Sequence, residues 1–158
     1  MTELIGRVIK HGRASGIALV SPEPISFFGM VDAETGVVVE PGHPLAGKSI
    51  SGRVLVFPTG KGSTVGSYSL YRLAKAGRAP AAIINAESET IVAVGAIIAD
   101  IPMVDQVDIT RIATGDWVTV DGERVIYLAG SVSFESAPET GTTFRVRYPR
   151  RHKTENGK

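Results

Sequence analysis

Arg53-Val54-Leu55-Val56-Phe57 is a continuous apolar run that stops at Pro58 and enters a glycine-rich loop, after which the apolar spacing turns helical. A strand without polar alternation is buried on both faces, so it belongs to a sheet that is covered on both sides. From Tyr68 onward, Leu70, Leu73 and Ala74 fall on one helical face with Tyr71 beside them. Gly77 predicts the stop of that helix, and Pro80 follows. Strand, glycine loop and helix in this order point to an α/β domain, with the loop at the carboxyl end of a strand, where open α/β sheets place ligand sites.

The other apolar runs are short and divided by turn residues, with 18 Gly and 9 Pro in 158 residues, so strands should dominate. Ala18-Leu19-Val20 ends the first apolar segment. Gly36-Val37-Val38-Val39-Glu40 predicts a short strand closed by Pro41-Gly42, and Ala81-Ala82-Ile83-Ile84 the next one. Ile91 to Ala99 carries both helix and strand signals and is read as a short helix before a strand at Ile101-Pro102-Met103-Val104. Trp117 to Ile126 alternates on either side of Asp121-Gly122, which predicts a tight hairpin. Phe144 to Tyr148 alternates like an edge strand with a basic face, and Arg150 to Lys158 reads as a polar tail. The expected organisation is one domain over 1–130 and a C-terminal extension over 131–158.

Composition excludes several function classes. Seventeen basic against sixteen acidic side chains leave a net charge of +1, too little for a protein that grips nucleic acid through its phosphates. With no cysteine, the chain builds no disulfide and offers no thiolate to zinc or an iron–sulfur cluster; another chain would have to hold such a metal. No apolar run approaches the ~20 residues that span a bilayer, and Met1-Thr2-Glu3-Leu4 has no signal-peptide pattern. A soluble, cytoplasmic protein is expected. The only amide side chains are Asn85, Gln106 and Asn156, as in proteins of hot habitats or of GC-rich genomes.

Gly42-His43-Pro44-Leu45-Ala46-Gly47-Lys48-Ser49 matches the phosphate-loop pattern G-x-x-x-x-G-K-S. That mechanism needs a helix beginning at the Lys-Ser, to aim its N–H groups at phosphate. Ile50-Ser51-Gly52 and then the apolar strand leave no room for one, so the match is read as chance.

The loop Pro58-Thr59-Gly60-Lys61-Gly62-Ser63-Thr64-Val65-Gly66-Ser67 suits chemistry better. Its glycines admit close backbone approach, successive N–H groups and a helix N-terminus favour an anion, and Lys61 adds charge. Ser63 places a hydroxyl there, where an alkoxide is less costly than in water. The plain reading is that Gly60 and Gly62 only turn the chain and that Ser67 caps the helix; for Ser63 both readings stand at this point. His11, His43 and His152 have no metal-ligand spacing, and none pairs locally with a serine, so a Ser–His–Asp hydrolase has little support. Phe27, Phe28 and Met30 form an apolar loop that is either core or interface.

Ser26-Phe27-Phe28-Gly29-Met30-Val31-Asp32, His43-Pro44-Leu45-Ala46-Gly47, Pro58-Thr59-Gly60-Lys61-Gly62-Ser63, Gly66-Ser67-Tyr68, Ala79-Pro80-Ala81-Ala82-Ile83 and Gly95-Ala96-Ile97-Ile98-Ala99-Asp100-Ile101-Pro102 follow one another in order. Together they resemble the swivelling-domain subunit of the aconitase X family, over about Gly6 to Val125. The family usually has Gly-Arg-Gly-Ser where this chain has Gly60-Lys61-Gly62-Ser63, and commonly Gly-Gly at Gly29-Met30. The resemblance implies a three-layer β/β/α swivelling domain, strand-rich, in a heteromer with a large subunit that carries a [4Fe–4S] cluster. It implies a hydro-lyase active only with that subunit, with Ser63 as the proton acceptor. Gly60, Lys61, Gly62, Thr64, Ser67, Ser26, Phe27, Asp32 and His43 are the substrate-binding candidates, and no metal ligand is expected in this chain. Two substrates are compatible with the family. The archaeal two-chain form dehydrates (R)-mevalonate 5-phosphate to trans-anhydromevalonate 5-phosphate, which the free-standing chain favours; the alternative is cis-3-hydroxy-L-proline. A non-catalytic swivelling binding domain is the third reading.

Overall fold

A computed structural model of the chain describes residues 2–128, 133–134 and 146–147. The strands are β1 (Thr2–Ile5), β2 (Arg7–Lys10), β3 (Arg13–Val20), β4 (Val54–Phe57), β5 (Ala82–Asn85), β6 (Met103–Asp105), β7 (Trp117–Asp121) and β8 (Arg124–Leu128). Two helices, α1 (Val65–Lys75) and α2 (Thr90–Ala99), and a 3-10 turn (Ile109–Arg111) complete this body. The short strands β9 (Ser133–Phe134) and β10 (Val146–Arg147) pair antiparallel with each other. The edge strand predicted at 144–148 thus survives as Val146–Arg147, while the polar tail lies outside the described residues.

The eight main strands run in the order β1-β8-β7-β3-β4-β5-β6-β2. β3, β4, β5 and β6 run parallel to one another, and the other pairings are antiparallel. The two edges, β1 and β2, are separated in the chain by Gly6 alone. A sheet whose two edges are joined by one residue must curl until they meet, so the sheet is nearly closed. Gly6 sits at that corner with no room for a side chain: a Cβ there would lie 2.5 Å from the Asp105 carbonyl oxygen and 2.6 Å from Val104 Cγ2.

Alternation along the central strands makes the layers. Val54 and Val56 of β4, Ala82 and Ile84 of β5, and Val104 of β6 face Val118, Val120, Val125 and Tyr127 of the β7–β8 hairpin. Leu55, Phe57, Ile83 and Met103 point the other way, onto Leu70 and Leu73 of α1 and Val92 and Ala96 of α2. The result is the β/β/α arrangement expected, and it explains why β4 is buried along its whole length. Helix α1 stops where predicted: Gly77 has φ +74°, its N–H bonds to Ala74 O, and the Arg78 N–H bonds to Leu73 O.

Three local expectations differ. β1 and β2 were not anticipated. Gly36–Glu40 forms no strand; Val37 and Val38 make only isolated bridges to Ser49 and Val31, because two turns close around them before a ladder can extend. The hairpin turns on Gly122-Glu123, since Asp121 pairs with Arg124. No helix follows Lys48-Ser49, where the Ser49 hydroxyl donates to Thr35 O.

The closing strand β2 is held by an ion pair between the half-exposed Arg7 and the buried Asp105. Arg7 Nε and Nη2 lie 3.0 and 2.8 Å from the two Asp105 carboxylate oxygens, and the Ser88 N–H donates to the same carboxylate at 2.9 Å. Burial pushes the Asp105 pKa up, but these donors outweigh it and hold the carboxyl below its ordinary value. A carboxyl with a depressed folded-state pKa adds stability above its unfolded pKa, and that stability is lost as pH falls through the folded value. Asp105→Asn should therefore lower the melting temperature at pH 7 and flatten its fall below about pH 4. Parallel acid melts of the variant and the natural chain would disprove this role.

Candidate functional site

The loop after β4 is built on its neighbours rather than left free. Ile25 pairs with Gly60 in an isolated parallel bridge. The Ile25 N–H donates to Thr59 O at 3.3 Å, and the Lys61 N–H donates to Ile25 O at 3.0 Å. Both glycines are demanded by close approach. A Cβ on Gly60 would strike the Glu89 carboxylate and Val92, and one on Gly62, which has φ +103°, would strike the Ser26 hydroxyl. The strand-loop-helix order thus brings Ser26, Gly60, Lys61, Gly62, Ser63 and Thr64 together.

Ser63 is exposed at the start of α1. Its Oγ accepts the Val65 N–H at 3.1 Å, and its carbonyl accepts the Gly66 N–H at 2.8 Å. Thr64 is the helix N-cap residue, yet its side chain makes no capping bond, and no acidic residue stands in the first turn of the helix. The positive end of the helix therefore faces Ser63 without a competing carboxylate. An N–H donor and that dipole both stabilise negative charge on Oγ, so the position suits a hydroxyl that must lose or take up a proton.

Other predicted site residues have structural partners. Ser67 is not the cap; it lies inside α1, and its hydroxyl donates to Ile91 O of α2 at 2.6 Å. The helix begins three residues earlier than its apolar pattern, which moves the cap upstream from Ser67 to Thr64. Phe27 is buried edge-on against Phe57 with ring centroids 6.1 Å apart. Asp32 Oδ1 accepts the Glu34 N–H at 2.8 Å and closes its own turn. His43 is buried; its Nδ1 accepts the Leu45 N–H and its Nε2 donates to Pro24 O, both at 3.0 Å. Both bonds require the neutral tautomer, and they pin the 43–47 turn to the segment leading into Ser26. Lys61 is paired with Glu40.

Two residues that the sequence did not mark as site candidates belong here. Glu89 caps α2, accepting the Ile91 N–H at 2.8 Å and the Val92 N–H at 2.9 Å, and its carboxylate fills the space behind Gly60. An acidic residue two positions before the apolar run at Ile91 was the available signal. Asn85, fully buried at the end of β5, donates to Phe57 O at 2.9 Å and fixes the exit of β4 into the loop.

Ser67→Ala should cost about 1 kcal/mol by removing the bond between the helices, with its acceptor left buried. It should change rate only through stability. Urea melts of the chain and turnover below the melting range separate the two; a large loss of turnover with unchanged stability would put the Ser67 hydroxyl in the chemistry.

A nearly closed sheet with a helical layer, carrying its serine loop at the carboxyl end of a parallel strand, is the architecture of a swivelling domain. The profile of the aconitase X swivel domain matches residues 3–128, and the chain belongs to that family. A phosphomevalonate dehydratase small subunit of Methanosarcina acetivorans is 58% identical over 125 residues, covering 77% of this chain and 87% of the relative. One from Thermococcus kodakarensis is 55% identical over 121 residues, covering 77% and 91%. The crystal structure of Thermococcus kodakaraensis aconitase X in its holo-form superposes with a TM-score of 0.79 at 53% identity, over 81% of this chain and 99% of that one.

Among the described residues, no group of three or more His, Cys, Asp or Glu could hold a metal ion. With no cysteine in the sequence, the donor set of this chain does not fit an iron–sulfur cluster. Nor, among the described residues, is any helix long and apolar enough to cross a membrane.

Proposed function

We propose that this chain is the small subunit of a two-chain hydro-lyase that converts (R)-mevalonate 5-phosphate to trans-anhydromevalonate 5-phosphate, with Ser63 as the proton acceptor. The names of the well-covered relatives support the substrate. The observation that carries the catalytic role is the Ser63 Oγ, exposed at the N-terminus of α1 and accepting the Val65 N–H. In the reaction the C2–H bond breaks, its electron pair forms the C2–C3 double bond, and the C3 hydroxyl departs to become water. Ser63 Oγ, as the alkoxide, takes the C2 proton and becomes the hydroxyl; passing that proton on to the departing hydroxide yields water and restores the alkoxide. Departure of the hydroxyl is assigned to the large subunit, which is also where the [4Fe–4S] cluster belongs, since this chain has no thiolate to bind one.

The partner covers the loop. Phe28, 49% exposed, and Val65 and Tyr68 at the start of α1 form an apolar rim beside Ser63, an arrangement suited to a surface that another chain buries. Of the apolar loop, Phe27 is core and Phe28 is the contact. Covering the loop excludes water and strengthens the helix-end electrostatics acting on Ser63. Gly60, Gly62, Ser26 and Thr64 line the floor on which substrate lies. Anaerobic reconstitution of both chains, assayed with mevalonate 5-phosphate and with cis-3-hydroxy-L-proline, tests the reading. Turnover of the first substrate only is expected, and only with both chains present. Activity on the proline derivative alone would overturn it.

A further inference from the structure

Lys61 brings a positive charge to the loop, but its ammonium is engaged: Nζ lies 3.0 Å from Glu40 Oε2. The Glu40 side chain is 22% exposed and that of Lys61 44%, so the pair is partly shielded from water and salt. Both ends are anchored through the backbone. The Lys61 N–H bonds to Ile25 O, and Glu40 O accepts the His43 N–H across Pro41-Gly42. His43 is itself tied to Pro24 O. Glu40 therefore stands on a fixed turn, facing the loop, 21 residues away in the chain.

An unpaired ammonium over a glycine loop and a helix N-terminus would attract any small anion, inorganic phosphate included. Paired with Glu40, Lys61 contributes no net charge, yet two of its three N–H donors stay unspent on Glu40. We propose that Glu40 is a specificity-determining residue of this loop: it holds Lys61 in a neutral pair, so that an anionic group of the substrate must win the ammonium from the Glu40 carboxylate. Weak, small anions fail that exchange; a ligand also held elsewhere succeeds. The inference rests on the reading of the Ser63 loop as a substrate site, but its test does not depend on turnover.

The probe is inorganic phosphate, titrated into the full chain while the amide resonances of Gly60, Gly62 and Ser63 are followed by NMR. At low salt Glu40→Gln should bind phosphate roughly threefold or more tighter than the natural chain, and the gain should shrink in 0.5 M salt (a rough choice, where screening is nearly complete). Glu40→Asp, which keeps the charge, should stay close to the natural chain. Lys61→Ala leaves Glu40 alone to repel the anion, so Lys61→Ala with Glu40→Gln should bind better than Lys61→Ala by itself. Equal affinities for the natural chain and Glu40→Gln, no gain in the double variant over Lys61→Ala, or no binding by any variant would each overturn the proposal. In the reconstituted enzyme, phosphate should inhibit Glu40→Gln more strongly than the natural form. An enzyme inactive on mevalonate 5-phosphate would defeat the functional reading, while the phosphate titration still decides the role of Glu40.

Discussion

Ser63→Ala in the reconstituted two-chain enzyme should lower turnover by at least ~10²-fold, the lower end for loss of a general base. The fold should persist, because Ser63 is exposed and its hydroxyl contributes one acceptor for the Val65 N–H and nothing to the core. KM should change less than kcat if, as proposed, the glycine loop and the large subunit hold the substrate in both ground and transition states. Thr64 offers a neighbouring hydroxyl without a capping bond, so Thr64→Val belongs in the same series and should retain most of the activity. The decisive measurement is exchange of the C2 proton of the substrate with deuterated solvent. Ser63→Ala should abolish it; exchange at the natural rate would move the proton acceptor to another residue.

Gly6→Ala is expected to be the most damaging single methyl in the described barrel. The new Cβ would lie 2.5 Å from Asp105 O, 2.6 Å from Val104 Cγ2 and 2.7 Å from Val107 Cγ2. The first of these is backbone, and it cannot move freely: Arg7 pairs with Asp105 in the β2–β6 ladder, and the Gly6 N–H is bonded to Glu123 O at 2.8 Å. Relief requires opening the seam where the two edges of the sheet meet. Overpacking of this kind costs about 1–3 kcal/mol, more where backbone must shift. For a chain of this size each kcal/mol lowers the melting temperature by roughly 2–4 °C. A fall of roughly 2–12 °C is therefore expected in a thermal melt followed by circular dichroism. A melting temperature unchanged in Gly6→Ala would mean that β1 and β2 do not close the sheet as described.

What the sequence determined by itself was local or strongly patterned. The unbroken apolar run at Val54–Phe57 required cover on both faces, and it has the β7–β8 hairpin on one side and the helices on the other. Gly77 ended α1 because a left-handed residue there satisfies the last carbonyls, a purely local requirement. The Ser63 loop was legible for the same reason, since strand, glycines and helix are contiguous. The family resemblance added the proposed role of Ser63 as proton acceptor, which residue pattern alone left undecided against a simple turn.

Tertiary structure decided the rest, wherever the partner is distant in the chain. β1 and β2 are half-buried four-residue strands whose neighbours, β8 and β6, lie about a hundred residues away, so neither carries a local signal strong enough to read. Val37-Val38-Val39 has strand propensity but finds no continuous ladder, because β propensity describes a fit to a neighbouring strand and not a preference of the backbone alone. Ser67 became a bond between helices, and Lys61 half of an ion pair, only when α2 and the Glu40 turn were folded against the loop. Charge, hydroxyls and glycines can be counted along a chain, but which of them stay available to a ligand depends on which are already satisfied by one another.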